Sequence, residues 1–397
     1  MNRILLIAFT LFTSTLAAQS WVSRANTPVV MHHPITFSLN GKGYAVTGTG
    51  TNNLPTNAVY DYNPTINTWG TLPNFPGAAR GFGIGAEANG FGYIGFGSST
   101  TNLLRDLWRF DPSDSSWTQL ANCGCTGRRH PAMIAIGNKI YVGLGSDAFG
   151  DKNDWWMYDI TLNTWTQIAN LPGLPRHHPF MFNIGSDVFA GLGHGGRVIY
   201  RDWYKLDTAT NTWTTMNNHP GQARVAGTQF STNGKGYVLS GDGSNHSWMS
   251  TGEMWEYDAA ADSWTQLTAH PGTSRWAPGS FVINDTVYFF GGLNRFTNSF
   301  PNDMWRFSLN QTTSVNELES ESISTFVYPN PANNVLNLES DLNITEVRIY
   351  NMTGQLFMTS PAETNRLNID NLNQGLYLVQ FYKDNELIST SKVMIQR

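Results

Sequence analysis

One unit of apolar and polar positions recurs along the first three quarters of the chain. In its clearest copy the polar run WTQLANCGCTGRRH (117–130) gives way to PAMIAIGNKIYVGLG (131–145), and DWWMYDITLNTW (154–165) follows. Read as elements, this is an arginine-led strand, a strand ending in glycines, an acidic-aromatic strand and a strand closed by the next tryptophan. Period-two alternation sets one face of each strand against a core. The closing residues Trp69, Trp117, Trp165, Trp213 and Trp264 are spaced 48, 48, 48 and 51 apart, and Trp21 lies 48 before Trp69. A period near fifty with this content predicts the blades of a repeat architecture.

The two ends of the array complement each other. WVSRANTP (21–28) is a strand with no repeat before it, and the last repeat reaches DMWRFSLN (303–310) with no closing tryptophan after it. The strand at Trp21 therefore predicts the fourth strand of the final blade, which would pair edges that a ring of sheets otherwise leaves open. The expected fold is all-β: a six-bladed β-propeller over 19–312, closed by an N-terminal strand. Glycines end the second strands (GTG at 48–50, GFG at 95–97, GLG at 143–145 and 191–193, GDG at 241–243, GG at 291–292) where strands crowd and turn. The closing tryptophans are expected to fill the gaps between blades.

These residues resemble kelch repeats. The matching features are the tryptophan, the downstream arginine, the glycines and the Tyr/Phe-Asp before the next tryptophan. Most copies show GxG rather than a clean glycine pair, so the resemblance is to a divergent kelch domain.

Composition changes near residue 313. TTSVNELESESIS (312–324) is polar and acidic, which predicts a linker over 313–325. Residues 326–397 hold none of the chain's 14 tryptophans, and alternation in VRIY and LYLVQFY predicts a small β-sandwich. Tyr328-Pro329-Asn330-Pro331-Ala332, Ile349-Tyr350-Asn351 with Thr353-Gly354-Gln355, and Gly375-Leu376-Tyr377 resemble the type A C-terminal sorting domain of type IX secretion in Bacteroidota. That resemblance implies passage across the outer membrane, contact with the secretion machinery and a secreted or cell-surface product. At the other end, Asn2-Arg3, ILLIAFTLF and TSTLAA predict a secretory signal peptide over 1–18. No later segment is long and apolar enough to predict a membrane span.

Charged residues make up 13% of the chain, the formal charge is −5 and no Lys/Arg-rich run occurs, which argues against a nucleic-acid partner. The two cysteines, Cys123 and Cys125, flank one glycine. They cannot make a four-ligand zinc site alone, and a small disulfide and two free thiols both remain open.

The candidate binding chemistry lies at the head of each first strand. Arg80, Arg128, Arg176, Arg224 and Arg275 repeat at the tryptophan spacing, with Met31 in the sixth place. A ring of guanidiniums at one mouth could grip carboxylates or sulfates through bidentate hydrogen bonds. It could equally bond neighbouring carbonyls or the third-strand acids. His33, His130 and His178 hold equivalent positions beside them. Alternation along a strand predicts that only one histidine of each His-His pair faces the channel.

A three-histidine metal site would need blades one, three and four to meet, and the other copies carry Phe82, Ala226 and Ala277 there. The histidines are therefore read as packing or ligand-facing, and no metal or cofactor is expected. Asp147, Asp151, His194, Arg197, His246 and Arg295, in the loops after the glycine turns, extend the same face. The expected function is non-enzymatic binding of a glycan or protein. The alternative is a carbohydrate-active kelch enzyme such as a sialic-acid mutarotase, with Glu253 and Asp106 as its nameable acids. Gly90–Gly95 satisfies G-x-G-x-x-G, but with no helix following it predicts no dinucleotide site.

Overall fold

A computed structural model describes residues 20–309, 325–340, 344–352, 354–361, 365–384 and 386–397. The expected signal peptide and the expected linker up to residue 324 lie outside the described residues. The chain divides after Thr312 into two compact units.

The first unit is built almost wholly of strands, in six four-stranded antiparallel sheets. The first sheet runs Ile35–Leu39, Lys42–Val46, Val59–Asn63 and Thr68–Leu72, and the third runs Ala132–Ile136, Lys139–Gly143, Trp155–Asp159 and Thr164–Ile168. Sheets two, four and five repeat this order from Ile84, Phe180 and Thr228. The sixth has Gly279–Ile283, Thr286–Phe290 and Met304–Ser308, and Val22–Arg24 supplies its fourth strand, with Ser23 opposite Trp305.

Successive first strands pack side by side, and the first strand of sheet six packs against that of sheet one. A set of backbone hydrogen bonds follows the same circuit. The N–H of Gly48 donates to the carbonyl of Arg80, Gly97 to Arg128, Gly145 to Arg176, Gly193 to Arg224 and Gly241 to Arg275. Gly292 donates to Met31, which joins the last sheet to the first. Each of these glycines has φ between 74° and 104°, the left-handed region that side chains disfavour. A Cβ on Gly97 would lie 2.4 Å from the Gly81 carbonyl oxygen. The sequence signal of a terminal glycine thus marks the point where one sheet's backbone bonds the next.

The closing tryptophans tie each sheet to its predecessor. Trp213 packs on Trp155, Trp264 on Phe182 and Trp203, and Trp69 on Phe281 and Phe290 of the sixth sheet. The Trp69, Trp165 and Trp213 indoles donate to the carbonyls of Ala25, Ala121 and Ala169, each 44 residues back. In these three the ring and its one donor are both satisfied between sheets. Cys123 and Cys125 are joined by a disulfide and buried.

The second unit holds a three-stranded sheet (Thr325–Tyr328, Val335–Ser340, Arg366–Asn368) and a four-stranded sheet (Leu356–Pro361, Glu346–Asn351, Gly375–Lys383, Glu386–Ile395). Their alternating apolar residues, among them Leu336, Ile349, Leu367, Val379 and Phe381, share one core.

Candidate functional site

Each repeated arginine stands four residues before its first strand, and none is more than 5% exposed. Arg80, Arg128, Arg176 and Arg275 make paired hydrogen bonds of 2.5–3.0 Å to Asp106, Asp154, Asp202 and Asp303. Arg224 reaches Glu253 through a single 2.5 Å contact. In the four bidentate cases Nη1 also donates to the carbonyl sixteen residues on, those of Phe96, Leu144, Leu192 and Gly291. A third-strand Trp or Tyr donates to the same acid, as Trp156 does to Asp154 at 2.9 Å. The guanidiniums are thus turned into their own sheets rather than towards an open mouth. The candidate acids of the enzyme alternative, Asp106 and Glu253, are held by Arg80 and Arg224.

The first sheet supports a structural role. Met31 holds the arginine position there, and the residue before its third strand is Ala58 instead of an acid. Cation and anion are absent together. An unpartnered buried charge would be costly, so the two positions must change as a pair.

The histidines behave differently. Seven of the chain's nine join through ring contacts: His32 to His33 (5.0 Å between centroids), His33 to His130 (5.1 Å), His130 to His178 (3.5 Å), His178 to His177 (5.2 Å), His177 to His194 (3.7 Å) and His194 to His246 (4.4 Å). The cause is a second backbone circuit. His33, Phe82, His130, His178, Ala226 and Ala277 all have φ between 49° and 63°. His130 N–H donates to the Phe82 carbonyl, His178 to His130, Ala277 to Ala226 and His33 to Ala277. Alternation holds for extended backbone only. A left-handed residue after His177 lets both members of that pair make ring contacts, while only His33 and His178 of the two His-His pairs line the central cavity, one per pair.

His33, His130 and His178 line a cavity of about 380 Å³ whose walls include residues from the first strands of all six sheets. His33 Nε2 lies 3.1 Å from His178 Nε2, and His33 Nδ1 lies 2.7 Å from His32 Nδ1. Burial, reinforced by neighbouring imidazoles, holds all three well below the usual histidine range. Burial also brings His194 down to about 3. At neutral pH these rings are uncharged, and each carries one ring nitrogen without a proton.

Around this cluster sit the loops after the glycine turns. Asp151 bonds His177 Nδ1 at 2.6 Å and accepts from the Gly196 N–H. Buried Asp242 meets Arg295 Nε at 2.6 Å, and Arg295 lies over the Trp276 ring, which packs edge-on to His33. Trp248 and Phe296, 41% and 60% exposed, pack against each other at 4.6 Å with their rings tilted by 55°. These aromatics carried no repeat signal, because the loops are where the copies differ in sequence.

Burial pushes the Asp242 carboxyl up to about 6, against the opposing pull of Arg295. Between its ordinary 3.8 and about 6 the folded chain holds a proton that the unfolded chain releases. This contribution therefore favours folding at the acid end and fades as pH rises through 6. Urea unfolding of the Asp242→Asn variant across this range should lack that fall. A variant whose pH profile parallels the native one would show that Asp242 titrates normally.

Residues 326–396 match the secretion system C-terminal sorting domain family. This segment holds the Tyr328–Ala332, Ile349–Gln355 and Gly375–Tyr377 motifs, and it indicates export by type IX secretion to the medium or the cell surface. Among the described residues no helix is long and apolar enough to cross a membrane. No curated protein matches the chain.

Proposed function

We propose that residues 19–312 form a divergent six-bladed kelch-type β-propeller, exported by type IX secretion, that binds an anionic glycan or protein at the loop-bearing mouth above the histidine cluster. Six equivalent sheets, a first-to-last backbone circuit and a sixth sheet completed by Val22–Arg24 support the architecture.

The observation that carries the ligand reading is the composition of this one mouth. It joins an exposed aromatic pair, Trp248 and Phe296, to Arg295 and the imidazoles of His194 and His246. Flat apolar rings beside cationic and neutral donors suit a sugar face or a peptide side chain carrying carboxylate or sulfate. Variable loops on a rigid repeat scaffold are where such specificity resides. The buried arginines would act as positioning residues, holding the strands from which these loops spring.

Thermal unfolding in the presence of acidic and neutral glycans tests this. An acidic sugar should raise the midpoint by mass action. Trp248→Ala/Phe296→Ala should abolish the rise while leaving the ligand-free midpoint nearly unchanged, because both side chains are solvent-facing. A double variant that still binds would remove the mouth from consideration. No response to any sugar would turn the search to protein partners.

A further inference from the structure

We infer that His33, His130 and His178 form a binding site for a divalent late transition metal ion, with zinc as its simplest occupant.

Each of the three imidazoles offers a nitrogen, and these nitrogens all lie within 4.8 Å of one another. Zinc–nitrogen bonds of about 2.0–2.1 Å in a tetrahedron place ligand nitrogens about 3.3 Å apart. The His33 and His178 Nε2 atoms are already 3.1 Å apart. His130 stacks on His178 at 3.5 Å between centroids, with its ligating nitrogen inside the same 4.8 Å span. His33 is oriented by its Nδ1 contact with His32, the kind of outer partner that fixes a ligating imidazole.

Polar satisfaction points the same way. Neither nitrogen of His130 has a hydrogen-bond partner among the described residues, and His178 Nδ1 has none. Buried nitrogens without partners are costly and rare. A coordinated cation would engage a lone pair that the protein leaves idle.

The backbone does not explain the histidines. Ala226 and Ala277 adopt the same left-handed conformation in the same circuit, and Phe82 shows that a plain aromatic packs there too. Imidazole at three of six places is therefore a choice beyond conformation or bulk. A site of three neutral nitrogens with no carboxylate favours zinc, copper or nickel over calcium or magnesium. The same residues line the 380 Å³ cavity, so a fourth coordination position would face a space able to admit water or a small ligand.

A neighbouring trio, His177, His178 and His194, shares one member and gives the competing assignment. The test uses the full chain after chelation, titrated with Zn²⁺ against a chromogenic competitor and with Co²⁺ by visible absorption. The expected result is one ion per chain and the intense bands of four-coordinate cobalt.

His130→Ala should weaken Zn²⁺ binding by about 100-fold or more, since loss of even an outer partner typically costs 10–100-fold. The unfolding midpoint of the chelated variant should stay near that of the chelated native chain, because alanine already serves at two of the six places. His194→Ala should bind as the native chain does. Absence of a stoichiometric ion, native binding by His130→Ala, or loss of binding in His194→Ala would each overturn the assignment.

Discussion

Arg128→Met is expected to destabilise the first unit by about 3–5 kcal/mol, the range for removing one partner of a buried ion pair. The lower end applies, because the Asp154 side chain retains 22% of its exposure. The loss comes from what stays behind. Asp154 would keep its burial and its Trp156 bond while losing two hydrogen bonds to Arg128 of 2.6 and 3.0 Å. The double variant Arg128→Met/Asp154→Ala should regain most of the loss, since the first sheet already combines Met31 with Ala58. A double-mutant cycle by denaturant unfolding should give a coupling of about 2–3 kcal/mol. Additive losses would show that the arginine acts through its stem alone.

The same pair has a pH signature. Burial pushes the Asp154 carboxyl up, but the hydrogen bonds and charge of Arg128, with the Trp156 indole, outweigh it and leave the group below its ordinary 3.8. Its contribution is complete above that ordinary value and is lost as pH falls through the depressed one, opposite in sign to Asp242.

Gly97→Ala is the second large effect. The residue has φ of 87°, and a Cβ would sit 2.4 Å from the Gly81 carbonyl oxygen and 2.7 Å from the Gly83 nitrogen. The left-handed conformation costs about 1–2 kcal/mol for a side chain, and overpacking typically adds about 1–3 kcal/mol. The obstructing atoms are backbone and cannot rotate away, so the sheet-to-sheet bond from Gly97 to Arg128 should lengthen or break. Guanidinium unfolding should show a loss of about 2–5 kcal/mol. Gly90→Ala is the control. That glycine also has positive φ, at 80°, but nothing lies within 4 Å of its Cβ position, so it should lose only the conformational part. Equal losses at the two sites would mean that crowding between sheets contributes nothing.

The repeat was legible because its causes are local. A tryptophan every 48 residues, a glycine at each second-strand end and an acid before each third strand are single-residue requirements of one sheet or one junction. A periodic sequence states them repeatedly, the acid in five of the six copies and Ala58 in the first. The complementary defects at Trp21 and Trp305 even indicated which strand completes the sixth sheet. The sorting segment was legible for the same reason, its Tyr328-Pro329 and Gly375-Leu376-Tyr377 pieces being short and ordered along the chain.

Two matters were decided only in three dimensions. A sequence can show that arginines recur, but not whether a guanidinium turns outward to solvent or inward to an acid 26 residues away. Burial settled that for Arg80, Arg128 and Arg176. Nor could spacing show that His33 and His178, 145 residues apart, meet at 3.1 Å. That encounter depends on the narrowness of the inner circuit and on the left-handed backbone that turns each side chain off its strand's alternation. Sequence fixes local conformational demands, and convergence of distant side chains is a property of the closed packing alone.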